Sequence, residues 1–178
     1  MISYGRAIGC TMARVARVDL PQGSVLKPLY AKAGFADAFA IDLPGNATGD
    51  AERLAIHMLK GQPRWVGWLV ALRDTLVAGF GLKTSSALRD DVATDRIEFF
   101  RVYERHRHEI ILGEDDRHLD FRLSVLVEES ASCRRLVATT VVTFNHWAGR
   151  AYIAAIAPFH RLIVKSTLRR AARSGWPG

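Results

Sequence analysis

Few side chains in this sequence suit acid–base chemistry near neutral pH, and His160 has the most informative setting. It stands in the series Ile153, Ile156, His160, Ile163, Val164, Thr167, Leu168 and Ala171, which at 100° per residue forms one stripe of a helix. An imidazole there can hydrogen-bond a ligand or move a proton, because its ordinary pKa lies near neutrality. The alternative is a core histidine satisfied by a backbone carbonyl or a buried carboxylate. Asp42 interrupts the apolar run Phe35–Leu43 and is the expected partner if His160 is catalytic.

A second polar group comprises Asp116, His118, Asp120 and Arg122. At strand period the last three share a face, and Leu119 and Phe121 occupy the other, inward one. A charge-assisted bond between Asp120 and Arg122 would fix the preceding turn. The functional alternative is an acid–base or anion site. Glu104, His106 and His108 also recur at period two, and two imidazoles with a carboxylate can hold a transition metal. Arg105 and Arg107 crowd that stretch and a turn is expected there, so no metal is assigned. Cys10 and Cys133 lack metal or redox spacing. Cys133, beside Arg134 and Arg135, is either a thiol of lowered pKa or an incidental one. No nucleophile elbow, P-loop or zincin motif occurs, and no cofactor is implied.

The elements that must position these residues follow from periodicity. Phe35–Leu43 suggests a strand, stopped by Pro44-Gly45-Asn46. Asp50 can cap a first helix whose apolar stripe is Leu54, Ala55, Met58 and Leu59. A second helix is expected from Pro63, with Trp65, Trp68, Leu69, Leu72 and Leu76 on one face. Strands are expected over 99–103, 109–112, 119–127 and 135–145, with Gly113–Asp116 as a tight turn. One more strand is conceivable within 12–18. A long last helix keeps its phase through Pro158 and is therefore read as one kinked helix. The expected fold class is α+β: a curved antiparallel sheet around a long C-terminal helix, with two helices after the first strand.

The 178 residues suggest a single domain with a sizeable core. Their first 30 or so would form an arm or strand. No apolar run reaches membrane-spanning length, and Arg6, Arg14 and Arg17 break up the N-terminus, so a cytoplasmic location is expected. The net charge of +7 is unevenly placed. No acidic residue follows Glu129, whereas Arg134, Arg135, Arg150, Arg161, Lys165, Arg169, Arg170 and Arg173 do. This is either a solvated helix face or a surface for anionic membrane or nucleic acid. Aromatics are not interleaved with these cations, which disfavours nucleic acid.

The order of elements resembles the helix-grip fold of START-like, birch-pollen-allergen-like proteins. The local sequence is similar to a bacterial family known as domain of unknown function 2867. The similarity lies in Gly113-Glu114-Asp115-Asp116-Arg117-His118-Leu119-Asp120-Phe121-Arg122, in Asn145 with Gly149-Arg150 and Tyr152, and in Pro158-Phe159-His160-Arg161-Leu162-Ile163-Val164. It extends over residues 36–172. The resemblance implies an apolar cavity between sheet and last helix. Ile156, His160, Ile163, Val164, Thr167, Phe121, Leu123 and Trp68 would line it, with Asp116, His118, Asp120, Arg122 and Asn145 as a polar cluster at its mouth. The expected function is a binding module for a small hydrophobic ligand. A cyclase- or hydratase-like enzyme using His160 and Asp42 is the alternative, and an interaction protein using the basic helix is a third reading. Family members also look like modules attached to nucleotide-binding reductases, which makes such a reductase a conceivable partner. A complete dinucleotide fingerprint is missing here, so nicotinamide binding is not expected.

Overall fold

The computed structural model describes residues 14–60, 95–98, 100–115, 119–130 and 133–178. The expected second helix, with Trp65 and Trp68, lies outside them, as do Asp116 and His118. In chain order the elements are β1 (Ala16–Val18), α1 (Lys27–Tyr30), β2 (Phe35–Leu43), α2 (Ala51–Leu59), β3 (Arg96–Ile97), β4 (Phe100–Arg105), β5 (Glu109–Asp115), β6 (Leu119–Glu129), β7 (Arg134–Phe144) and α3 (Trp147–Arg173).

All seven described strands join one open antiparallel sheet in the order β1-β2-β7-β6-β5-β4-β3. The meander from β3 to β7 follows chain order, and β2 then pairs with β7, aligning Asp37 with Thr140 and Ile41 with Leu136. β1 falls within the stretch where an extra strand was conceivable and adds an edge to β2.

Side-chain alternation gives the sheet two apolar faces. Phe39, Ile41 and Leu43 of β2, Ile110 and Leu112 of β5, Leu123, Val125 and Val127 of β6, and Leu136 and Ala138 of β7 form the main core. It is closed by Leu54, Ala55, Met58 and Leu59 of α2 and by Leu168 of α3. We call this the inner face. The outer face holds Ala38, Ala40, Leu126 and Val137, packed with Val18 and Leu20, and Ile111 and Val141, packed with Leu26 and Tyr30. The chain before β2 therefore covers the outer face.

Asp50 caps α2 as expected, its Oδ1 accepting from Glu52 N at 2.9 Å and Arg53 N at 3.2 Å. The other end of α2 is tied to α3, where Arg170 donates to the Met58 carbonyl at 2.6 Å. α3 runs unbroken with Pro158 inside it. The expected tight turn over Gly113–Asp116 is corrected: β5 continues through Asp115, paired with Asp120. Gly113 belongs in the strand because a Cβ there would collide with the Phe121 carbonyl oxygen.

A buried carboxylate fastens the N-terminal segment to the outer face. Glu109 is 3% exposed. Its Oε1 accepts from the hydroxyls of Ser24 and Ser124, each at 2.5 Å, and its Oε2 from the Val25 amide at 2.9 Å. Donors thus meet both oxygens, as a buried charge requires. Glu109→Gln replaces one acceptor by an amide donor. It is expected to cost about 2 kcal/mol in urea unfolding. Amide exchange over residues 19–33 should accelerate more than exchange in α2.

Candidate functional site

The inner-face positions of β2 alternate Phe35, Asp37, Phe39, Ile41, Leu43, so one carboxylate stands in an otherwise apolar row. Asp37 is carried beneath α3, and its side chain is only 1% exposed. Its Oδ1 lies 3.3 Å from His160 Nε2. Its Oδ2 lies 3.6 Å from Arg161 Nε, too far for a hydrogen bond. Neither of those two atoms has a hydrogen-bond partner among the described residues.

The neighbours of Asp37 on β2 complete the corner. The Phe35 ring meets the His160 imidazole edge to face at 5.8 Å, and the Arg161 guanidinium lies 5.8 Å from the same ring centroid. Two residues further along, the Lys165 ammonium sits 5.4 Å from the Phe39 ring. His160 remains 25% exposed, so the corner combines a sealed carboxylate with an imidazole that solvent reaches. Chemically, the carboxylate can orient and tautomerically bias the imidazole, and its second oxygen is an unused acceptor.

The expected lining residues separate along α3. Thr167 and Leu168 are buried, which closes the C-terminal half of the stripe as core. Ile156, His160, Ile163 and Val164 are half-buried, so the stripe opens towards the N-terminal half of the helix. Leu123 belongs to the core, and Phe121, half-buried, meets Phe100 edge to face at 5.6 Å. Trp68 lies outside the described residues.

Asp42 is a correction. Its register partner is Arg135, and its phase is that of Ala38 and Ala40, on the opposite face from His160. Period-two phase puts Asp37 with Phe35 and Phe39. Strand phase thus separates the two carboxylates, whereas interruption of an apolar run is a feature that Asp42 shares with Asp37. Arg161 begins a basic series of four-residue spacing with Lys165, Arg169 and Arg173, yet its guanidinium reaches back to Phe35 and Asp37.

The second polar group is rearranged. Arg122 pairs with Asp115 at 2.7 Å, donates to the Phe121 carbonyl at 2.9 Å, and stacks 3.7 Å above the Tyr103 ring. Tyr103 in turn donates its hydroxyl to Asp115 at 2.9 Å. Asp120 faces Asp115 across the strand register, and Asn145 is exposed just after β7. Arg122 is thus occupied within the sheet's outer face and not presented as an anion site. Burial, together with the bond to Asp115, pushes the Tyr103 phenol up to about 12. Burial also raises the Asp115 carboxyl, but the bonds from Arg122 and Tyr103 outweigh it and hold the group below its ordinary value.

Glu104 and His106 do meet, with His106 Nε2 2.9 Å from Glu104 Oε2, but β4 ends at Arg105, the His106 amide turns to the Glu109 carbonyl at 2.8 Å, and His108 does not join the pair. Among the described residues no group of three His, Cys, Asp or Glu side chains is placed to hold a metal. Arg134 donates to the Ala47 carbonyl at 2.6 Å and Arg135 pairs with Glu128 at 2.7 Å, so both arginines beside Cys133 are engaged elsewhere. A groove of about 880 Å³ is lined by Arg17–Gln22, Ala36, Asp37, Glu128, Arg135 and Val137, which places it along the outer side of β2.

A family model matches residues 29–167. The chain belongs to the family described as "Protein of unknown function (DUF2867)". The DUF2867 match takes in β2, the whole meander and α3 as far as Thr167, and so includes Asp37, His160 and Arg161. No curated protein and no solved structure matches the chain. None of the described helices is long and apolar enough to cross a membrane.

The depressed Asp115 carboxyl has a pH consequence. A carboxylate whose folded pKa lies below its unfolded value stabilises the fold above the unfolded pKa, and that contribution is lost as pH falls through the folded value. Asp115→Asn should therefore lower the melting temperature at pH 7. The gap from the parent protein should narrow steadily as the pH is taken down to about 3, below the ordinary carboxylate value. A gap independent of pH would show that packing and not charge holds this corner.

Proposed function

We propose that the chain is a binding protein for a small hydrophobic molecule, held between the sheet and the N-terminal half of α3 in a START-like, helix-grip arrangement. The observation that carries this reading is the Asp37 carboxylate, sealed beneath α3 at the head of a half-buried apolar stripe, its Oδ2 held only by a loose 3.6 Å ion pair with Arg161 and given no hydrogen bond by the described residues. Buried polar atoms in native proteins nearly always find a partner, and an acceptor left over marks a place where something else supplies the donor. Phe35, Ile156, Ile163 and Val164 supply the apolar wall, and a few placed polar groups fix orientation, as in small-molecule sites generally. The ligand would carry a hydroxyl or amine that donates to Asp37 and an apolar body that follows the stripe. Its opening requires α3 to shift slightly from β2, since the free oxygen is covered in the present arrangement.

A second reading rests on the Asp37–His160 contact. A carboxylate bonded to one imidazole nitrogen leaves the other to give or take a proton, so the same site could serve a cyclase- or hydratase-like enzyme. Asp37 replaces Asp42 in that reading.

Native mass spectrometry of the purified chain, with a panel of hydroxylated apolar probes, tests the first reading. A co-purifying or bound small molecule is expected. Asp37→Asn should weaken its binding roughly tenfold, the usual worth of a hydrogen bond to a charged group. Ile163→Trp should block binding while leaving the circular dichroism spectrum intact. No bound species in the parent protein, or binding indifferent to both substitutions, sinks the reading. If the bound molecule is turned over, His160→Gln is expected to abolish turnover and keep binding.

A further inference from the structure

The outward face of α3 has a composition that neither the core nor the Asp37 corner explains. Phe159 is 48% exposed and Leu162 is 54% exposed, the two most exposed large apolar side chains among the described residues. On a helix they are three apart and so adjacent, with exposed Pro158 beside them. Further along the same face come Arg169 and Arg173, both exposed, with Lys165 on the flank. From Pro158 to Arg173 this face is about 22 Å long at the helical rise.

Four other cations of the C-terminal quarter are already engaged. Arg134 and Arg135 meet Glu129 and Glu128, Arg161 lies against Asp37, and Arg170 bonds the Met58 carbonyl. Arg169 and Arg173 have no partner among the described residues, and no acidic residue follows Glu129 in the chain. The outward face therefore offers protruding apolar tips and uncompensated positive charge, with nothing negative on its own helix.

We infer that this face docks on an anionic lipid surface, with Phe159 and Leu162 inserted at the headgroup–acyl boundary and Arg169 and Arg173 over acidic headgroups. The shape and size of the patch favour lipid over a protein partner. Two convex side chains fall well short of the roughly 1,000 Å² that a stable protein interface buries. A bilayer accepts protruding apolar tips one by one, and each nearby cation adds its own attraction to the anionic surface. Nucleic acid fits less well, because Phe159 is the sole aromatic on this stretch of the face.

Co-sedimentation of the full chain with vesicles tests this, using phosphatidylcholine alone and phosphatidylcholine with about one third phosphatidylglycerol, at 50 mM and 500 mM salt. Binding is expected only to the acidic vesicles and only at the lower salt, as screening dictates. Phe159→Ser with Leu162→Ser should weaken it at least tenfold. Arg169→Ala and Arg173→Ala should each weaken it about fivefold. All four positions are exposed, and unchanged melting curves confirm that the variants fold. The inference is overturned by failure to bind acidic vesicles at low salt, or by binding that the Phe159 and Leu162 changes leave intact. Equal retention on heparin, insensitive to Phe159 and Leu162, would identify a general polyanion surface and also overturn it. Self-association abolished by those two changes would identify a second copy of the chain as the occupant instead.

Discussion

The central strands of the sheet are apolar on both faces, and this makes every other part of the fold necessary. A sheet with one wet face needs a single covering layer, whereas β2, β5, β6 and β7 need two. Helices α2 and α3 supply the inner layer, and the chain from Val18 to Ala33 supplies the outer one. Each layer is fastened by one buried carboxylate. Glu109 reaches Ser24 and Val25 of the outer layer, and Asp37 reaches His160 and Arg161 of the inner layer. Both anchor a covering segment remote in sequence, where apolar packing alone would leave its position along the strands weakly specified.

The two anchors are satisfied to different degrees, and that difference separates architecture from candidate chemistry. Glu109 receives three donors on two oxygens and has no free acceptor within the network described. Such a carboxylate does one thing, which is to hold. Asp37 shares a long contact with a histidine and a longer one with an arginine whose Nε has no hydrogen bond among the described residues. The cost of burying an incompletely bonded charge has to be offset by the packing of α3 on the core, where Leu168 and Ala171 are fully buried.

Periodicity carried much of this into the sequence. The strand at Phe35–Leu43, the Asp50 cap and the unbroken last helix through Pro158 are each local, and each is legible from a handful of residues. Glu109 was not legible as an anchor, because its donors Ser24 and Ser124 are remote in the chain and none has a distinctive spacing. The extension of β5 through Gly113–Asp115 was hidden by composition: Gly-Glu-Asp reads as a turn, yet the glycine is there because the neighbouring strand's carbonyl comes too close for a Cβ. Arg161 was hidden by a different ambiguity. Four-residue spacing places it with the outer cations, but a position at the border of two faces allows a long guanidinium to fold inward when a buried carboxylate waits there.

That border position joins the two sides of α3. Had all its cations faced water, the excess charge of the C-terminal quarter would be a uniform solvated face. Instead the structure assigns Arg161 to Asp37 and Arg170 to the end of α2, which leaves Arg169 and Arg173 beside Phe159 and Leu162. The helix therefore carries cations that hold the fold and others without a partner among the described residues. His160 and Phe159 are consecutive, one turned towards the sealed carboxylate and the other towards solvent. A rigid-body movement of this segment away from β2 would both loosen the contact at Asp37 and change how far Phe159 protrudes. Were a ligand to enter the inner corner, the outer face would for that reason feel it through a single turn of helix.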